Sequence, residues 1–196
     1  MEKLQIIVLF ISITCFSQEI KYNLYLKDEC TGDIINSFFY TLEKDGIKYN
    51  SFDENPISLP TTGIYKLTAT EIGEEYEILI RQNRNSDTLN LPSIKTFIEK
   101  SNVSFTNKTS DSEKQKIRMS MSERYFECGI VCNGHKVGKY SNGKVKFEGI
   151  FENGFPIGEF KIYYQNGKIK EVSFYEKYAL LKSKKEYDIN GKLIIQ

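Results

Sequence analysis

The chain has 196 residues, with 27 Lys and Arg against 26 Asp and Glu, a single His, no Trp, four Cys, and 13 each of Tyr and Phe. An apolar content of 40% is enough to bury the core of one domain or two small ones, which excludes a disordered chain. A formal net charge of +1 offers no general field to a polyanion, and one His leaves little for His-based catalysis, so no nucleic-acid partner is expected.

Met1-Glu2-Lys3 precedes an apolar run from Leu4 to Phe16. The run has the length of a secretory core and falls short of the roughly 20 residues a helix needs to cross a bilayer. Residues 1–17 are therefore expected to be a signal peptide, cut before Gln18, with Cys15 and Ser17 as the small residues ahead of the cut. Lipid attachment at Cys15 is the alternative, although Ser12-Ile13-Thr14 departs from the Leu-small-small pattern that such attachment uses. The ending Phe16-Ser17-Gln18 is similar to signal peptides of the Bacteroidetes. No later stretch is apolar enough to span a membrane, so the mature chain is expected to be exported: periplasmic, outer-membrane-associated or secreted. Cys30, Cys128 and Cys132 then remain in an oxidising compartment, and Cys128 is expected to pair with either Cys132 or Cys30.

From residue 18 to about 100 the pattern is that of short strands. Tyr22, Leu24 and Leu26 alternate with polar neighbours, Ile34 to Leu42 reads as a second strand, and Ile47 to Phe52 follows a turn at Asp45-Gly46. Ile57 to Leu59, Ile64 to Thr70, Glu75 to Arg81 and Thr88 to Leu91 complete about seven strands. Turn residues every 8 to 12 positions predict an antiparallel β-sandwich of immunoglobulin or transthyretin type. Pro60 to Thr70, a turn followed by a Tyr-x-Leu-x-Ala strand, resembles prealbumin-like accessory modules of exported bacterial proteins, which implies a scaffold.

Residues 101–127 form a polar connector. Within it Ile117, Met121 and Tyr125 lie at i, i+4 and i+8, and Ser112 with Gln115 stands as a capping box, which predicts one short helix.

From 128 to 196 the sequence repeats. Asn142-Gly143-Lys144, Asn166-Gly167-Lys168 and Asn190-Gly191-Lys192 recur every 24 residues. Asn-Gly favours a two-residue type I′ turn, which sets Tyr140 opposite Val145 and Tyr164 opposite Ile169. The region is thus expected to be an antiparallel β-meander, atypical in its last copy where Asp188 replaces the tyrosine. The run Asn153-Gly154-Phe155-Pro156-Ile157-Gly158-Glu159-Phe160, continued to Tyr164-Gln165-Asn166-Gly167-Lys168, resembles the MORN-repeat variant of bacterial proteins, including antitoxin components. The resemblance implies a β-sheet scaffold and, secondarily, an antitoxin-like neutralising role.

Candidate chemistry is sparse. Cys128, Cys132 and His135 form C-x3-C-x2-H, a spacing that matches no standard zinc knuckle, so no metal and no cofactor is expected. The sequence has no G-x-S-x-G, no H-E-x-x-H and no phosphate loop, and a hydrolase is unsupported. Tyr163, Tyr175 and Tyr178 are the candidate contact surface on the meander. The chain reads as an all-β, non-enzymatic envelope module that presents a sheet surface to a protein or cell-wall partner.

Overall fold

The computed structural model describes residues 19–36, 38–83, 85–98 and 109–195. The expected signal peptide, with Cys15, lies outside the described residues, as do residues 99–108 of the connector region.

Alternation builds the N-terminal region of the molecule. β1 (Ile20–Asp28) turns Ile20, Tyr22, Leu24 and Leu26 inward, and all four are buried. β2 (Ile34–Ile35) pairs with the end of β1, while β3 (Tyr40–Lys44) and β4 (Ile47–Asn50) form a hairpin. β5 (Ile57–Leu59), β6 (Gly63–Ala69), β7 (Glu74–Ile80) and β8 (Ser86–Leu91) complete two sheets. One sheet holds β2, β1, β5 and β8; the other runs β4-β3-β6-β7. Tyr22 and Leu24 on the first and Leu42, Tyr65 and Leu67 on the second share one core. Each such side chain, fully buried, contributes about 1.5–3 kcal/mol.

Two expectations change here. Ile34 to Leu42 is not one strand: Ile34–Ile35 and Tyr40–Lys44 belong to different sheets. Ser51 fills the break, its hydroxyl donating to the Phe38 carbonyl and accepting from the Tyr40 N–H, so the backbone there is satisfied without a ladder. The pairing is also not wholly antiparallel, because β1 and β8 run parallel from Asn23–Ser86 to Asp28–Leu91. The second sheet, lying between them in the chain, supplies the long crossover a parallel pair requires.

β9 (Ile94–Ile98) lies beyond the expected strands. After it come α1 (Asp111–Met121), β10 (Glu123–Glu127) and β11 (Ile130–Val131), and β9, β10 and β11 form a small antiparallel sheet. The helix is capped by Ser110 and Glu113, not by Ser112 and Gln115. The Ser110 hydroxyl accepts from the Glu113 N–H at 3.3 Å, and the Glu113 carboxylate accepts from the Ser110 N–H at 2.9 Å. Both Asp111 and Glu113 then sit in the first turn, where the helix dipole favours them. Tyr125 is in β10 rather than on the helix, which ends at the extended backbone of Ser122.

β12 (Gly134–Lys139), β13 (Val145–Glu152), β14 (Phe155–Tyr163), β15 (Ile169–Glu176), β16 (Leu180–Tyr187) and β17 (Leu193–Ile195) form a six-stranded antiparallel sheet in sequence order. Its Asn-Gly-Lys turns are three-residue loops, a correction to the expected type I′ geometry. Tyr140 pairs with Lys144 and Tyr164 with Lys168, so it is Lys139 that faces Val145 and Tyr163 that faces Ile169. Only the glycines are left-handed, with φ of 83° at Gly143, 84° at Gly167 and 90° at Gly191. The reason is local: the side-chain carbonyls of Asn142 and Asn166 accept from the N–H of Lys144 and Lys168, which holds each Asn in a type I turn followed by a glycine bulge. Two-residue left-handed turns do occur, at Asn153-Gly154, Asp45-Gly46 and Cys128-Gly129.

The 24-residue period is written into hydrogen bonds between repeats. Tyr140 Oη donates to the Tyr163 carbonyl at 2.5 Å, and Tyr164 Oη donates to the Tyr187 carbonyl at 2.7 Å. Lys144 Nζ reaches Gln165 O and Lys168 Nζ reaches Asn190 O in the same way. Asp188, in the tyrosine's place in the last copy, turns inward on its own loop: its carboxylate accepts from the N–H groups of Asn190 and Lys192.

Phe147, Phe151 and Phe160 project from one face of the sheet onto Tyr125, whose ring lies 5.2, 4.9 and 5.8 Å from theirs. Further along this face the residues turn polar, with Lys184 held between Glu171 at 3.0 Å and Glu186 at 2.6 Å. The repeat sheet is tied to the N-terminal region by Asn90 N–H to Ser141 O, by Ser141 N–H to Tyr76 Oη, and by Lys146 to Glu74. A disulfide between Cys30 and Cys128, 98 residues apart in sequence, adds a covalent link. Closing a loop of that order stabilises a fold by about 4–5 kcal/mol in the chain-entropy account.

Candidate functional site

Of the two pairings the sequence leaves open for Cys128, the structure has the one with Cys30. Cys132 is a free thiol, fully buried under Tyr125 and the phenylalanines, and burial pushes its pKa up, which makes it a packing residue rather than a nucleophile. His135 is exposed on β12, opposite Ile150. C-x3-C-x2-H is thus not a ligand set, since the Cys128 sulfur is bonded elsewhere. Among the described residues no group of three or more His, Cys, Asp and Glu side chains gathers in a way that holds a metal ion. No helix among them is long and apolar enough to cross a membrane.

The repeat turns at Asn142-Gly143, Asn166-Gly167 and Asn190-Gly191 line one end of the sheet and are engaged in the inter-repeat bonds described above. Tyr163 belongs to the face of the sheet opposite the phenylalanine core. Its hydroxyl donates to Glu148 at 2.5 Å, and its pKa is pushed up to about 12, first by burial and then by that carboxylate.

Tyr175 and Tyr178 come together elsewhere, at the corner where α1 meets the β14 and β15–β16 segments of the sheet. An open groove of about 550 Å³ runs there, lined by Arg118 from the helix and by Ile157, Phe174, Tyr175, Tyr178 and Leu180. Its shape follows from local irregularities. The β15–β16 pairing shifts register between Phe174 and Tyr175, and Tyr178 and Ala179 turn the chain with φ of 61° and 56°. A bulky non-glycine residue held left-handed is strained, and such strain gathers at binding and switch positions. The turn sets Tyr178 at the rim with 46% of its surface exposed, while Phe174 is 49% exposed. At a second place, at the open end of the β3–β4 hairpin, the tilted rings of Phe39 and Phe52 lie 5.5 Å apart and are 59% and 77% exposed. Beside them Thr41, Asn50 and Asp53 satisfy one another by hydrogen bonds.

The groove is suited to holding an apolar group next to a charge. Its lining has no His, Cys, Ser or Asp, and its carboxylate, Glu176, is paired with Lys182 at 3.1 Å. Two of the three tyrosines expected as a contact surface meet there, and the third does not. Arg118, Ile157, Phe174 and Leu180 escape the sequence pattern because they come from separate elements that only the helix–sheet packing assembles. Phe39 is more legible: between the inward Phe38 and Tyr40, alternation points it outward. Comparison of the chain with family models, curated proteins and solved structures finds no match in any of the three.

Proposed function

We propose that this chain is an exported, non-enzymatic binding module, in which a MORN-like repeat sheet is held rigid by an immunoglobulin- or transthyretin-like sandwich and presents its surface to a protein partner at the cell envelope. The observation behind this reading is the aromatic groove at the α1 corner, where Phe174 and Tyr178 are half exposed on a framework of paired strands. Large half-exposed aromatics on rigid elements bury much area on binding at little entropic cost. The uncovered face of the same sheet adds Val137 and Ile150, at 37% and 53% exposure. The Cys30–Cys128 link is of the kind that persists outside the cytosol, in keeping with export.

The test is site-specific photocrosslinking in the cells that make the protein. A photoreactive residue in place of Tyr178 is expected to give a discrete higher-mass adduct, whereas one in place of Glu77, on the outer face of β7, is not. Identical adduct patterns at the two positions, or none at either, would overturn the reading.

A further inference from the structure

We infer that the α1-corner groove takes a peptide segment in which a carboxylate side chain stands beside a large apolar one, with Arg118 as the partner of the carboxylate. This rests on the binding-module reading above and adds the chemistry of the partner.

The charges around the groove are not equivalent. Of the groove's other charges, Lys177 faces Glu152 at 3.8 Å and Glu176 faces Lys182 at 3.1 Å, so each is answered by an opposite charge. Arg118 has no carboxylate partner among the described residues, although it lines the same groove and is partly buried. The groove therefore carries one unanswered positive charge beside Ile157, Phe174, Tyr178 and Leu180. A guanidinium offers a planar fork that a carboxylate fills with two parallel hydrogen bonds, and partial desolvation strengthens them. The arginine is also well supported: Ser122 Oγ donates to its backbone carbonyl at 2.8 Å, which closes the last turn of α1. The side chain thus leaves a fixed point of a capped helix.

The surroundings favour a peptide over an acyl chain or an isolated anion. An apolar centre ringed by ion pairs has the anatomy of a protein interface. The groove is open along its length, so a lipid tail laid in it stays wetted on one side. A volume of about 550 Å³ accommodates a few side chains and lies within the usual range of recognition sites. Tyr178, placed at the rim by its left-handed turn, closes one side.

The experiment is selection of phage-displayed random dodecapeptides on the purified, oxidised full chain, followed by fluorescence anisotropy with a labelled peptide of the selected consensus. The expected consensus places Glu or Asp next to Leu, Phe or Tyr. Binding is expected to fall about tenfold or more with Arg118→Gln, and by a similar factor when the peptide acid is replaced by its amide. Phe174→Ser should also abolish it, with far-UV circular dichroism unchanged in both variants. An apolar consensus without acid, a basic consensus, no enrichment, or equal binding by Arg118→Gln would each overturn the inference. So would displacement of the peptide by phosphatidylglycerol vesicles that bind the chain with the same dependence on Arg118, which would point to a lipid. A Tyr178 photoadduct that persists in Arg118→Gln leaves the binding-module reading standing while removing this one; loss of every adduct in the unmodified chain removes both.

Discussion

The N-terminal region and the repeat sheet are stabilised in different ways. In the former a pair of sheets face each other, and Leu24, Leu42, Leu59 and Leu67 between them have no exposed surface at all. The repeat sheet has a covered face only where Tyr125 meets Phe147, Phe151 and Phe160; beyond them the same face is held by Glu171, Lys184 and Glu186, and the other face is open. What the repeat sheet lacks in burial it makes up with bonds from one repeat to the next, the tyrosine hydroxyls and lysine amines that reach carbonyls 21 to 23 residues ahead. Burial stabilises a closed body, whereas inter-repeat bonds stabilise a surface that stays available.

The sharpest way to break this comparison is to remove bulk from each side. Leu67→Ala is expected to lower the unfolding free energy by about 2–5 kcal/mol, because a cavity is left between two rigid sheets. Val172→Ala, on the open face of β15, is expected to cost less than about 1 kcal/mol, since that face has no second layer to lose contact with. Urea denaturation followed by circular dichroism measures both. Equal losses would mean that the repeat sheet buries more than its exposure indicates.

A finer test uses two glycines that each stand four residues after an Asn-Gly pair, Gly138 and Gly158. Their shared position hides different physical roles. A Cβ on Gly138 would lie 2.2 Å from the Phe147 ring, so this glycine makes room for the aromatic across the strand pair. Gly158 has open space around it and a φ of 71°, so there it is the backbone that requires glycine. Gly138→Ala is expected to destabilise by about 1–3 kcal/mol through overpacking, and Gly158→Ala by about 1–2 kcal/mol through left-handed strain. A second substitution, Phe147→Leu, should relieve the first and leave the second unchanged. Relief of both, or of neither, would show that the two glycines act alike.

These glycines also mark what is legible in the sequence. The repeat period, the strand order of the meander and the inward alternation of β1 and β6 can be read directly, because each is set by neighbours close in the chain. Expectation and structure diverge where a local signal has two structural solutions. Asn-Gly serves both a type I′ turn and the end of a type I turn with a bulge, and the Asn142 side-chain bond to the Lys144 N–H selects the second. Ser110 and Ser112 each begin a capping-box pattern, and the acid at Glu113 selects Ser110. The groove is only half legible. Tyr175 and Tyr178 stand in one hairpin, but Arg118 joins them across more than fifty residues of chain, through packing that no periodicity records.

A further small effect bears most directly on the ladder between repeats. Tyr164→Phe removes one hydroxyl and leaves the ring, which also lies 5.7 Å from the Lys170 amine. The Tyr187 carbonyl loses its donor at the edge of the sheet, where water partly replaces it, so the loss should be about 0.5–1.5 kcal/mol. The expected signature is local rather than global. Amide exchange should quicken around Asp188 to Lys192, the turn that the Tyr164 hydroxyl anchors, while the N-terminal region keeps its protection. Tyr140→Phe should do the same one repeat earlier, around Tyr164 to Lys168. If either change instead loosens the whole chain evenly, the repeats are not linked stepwise by these hydroxyls, and the stability of the open sheet must come from the aromatic core beneath its first three strands.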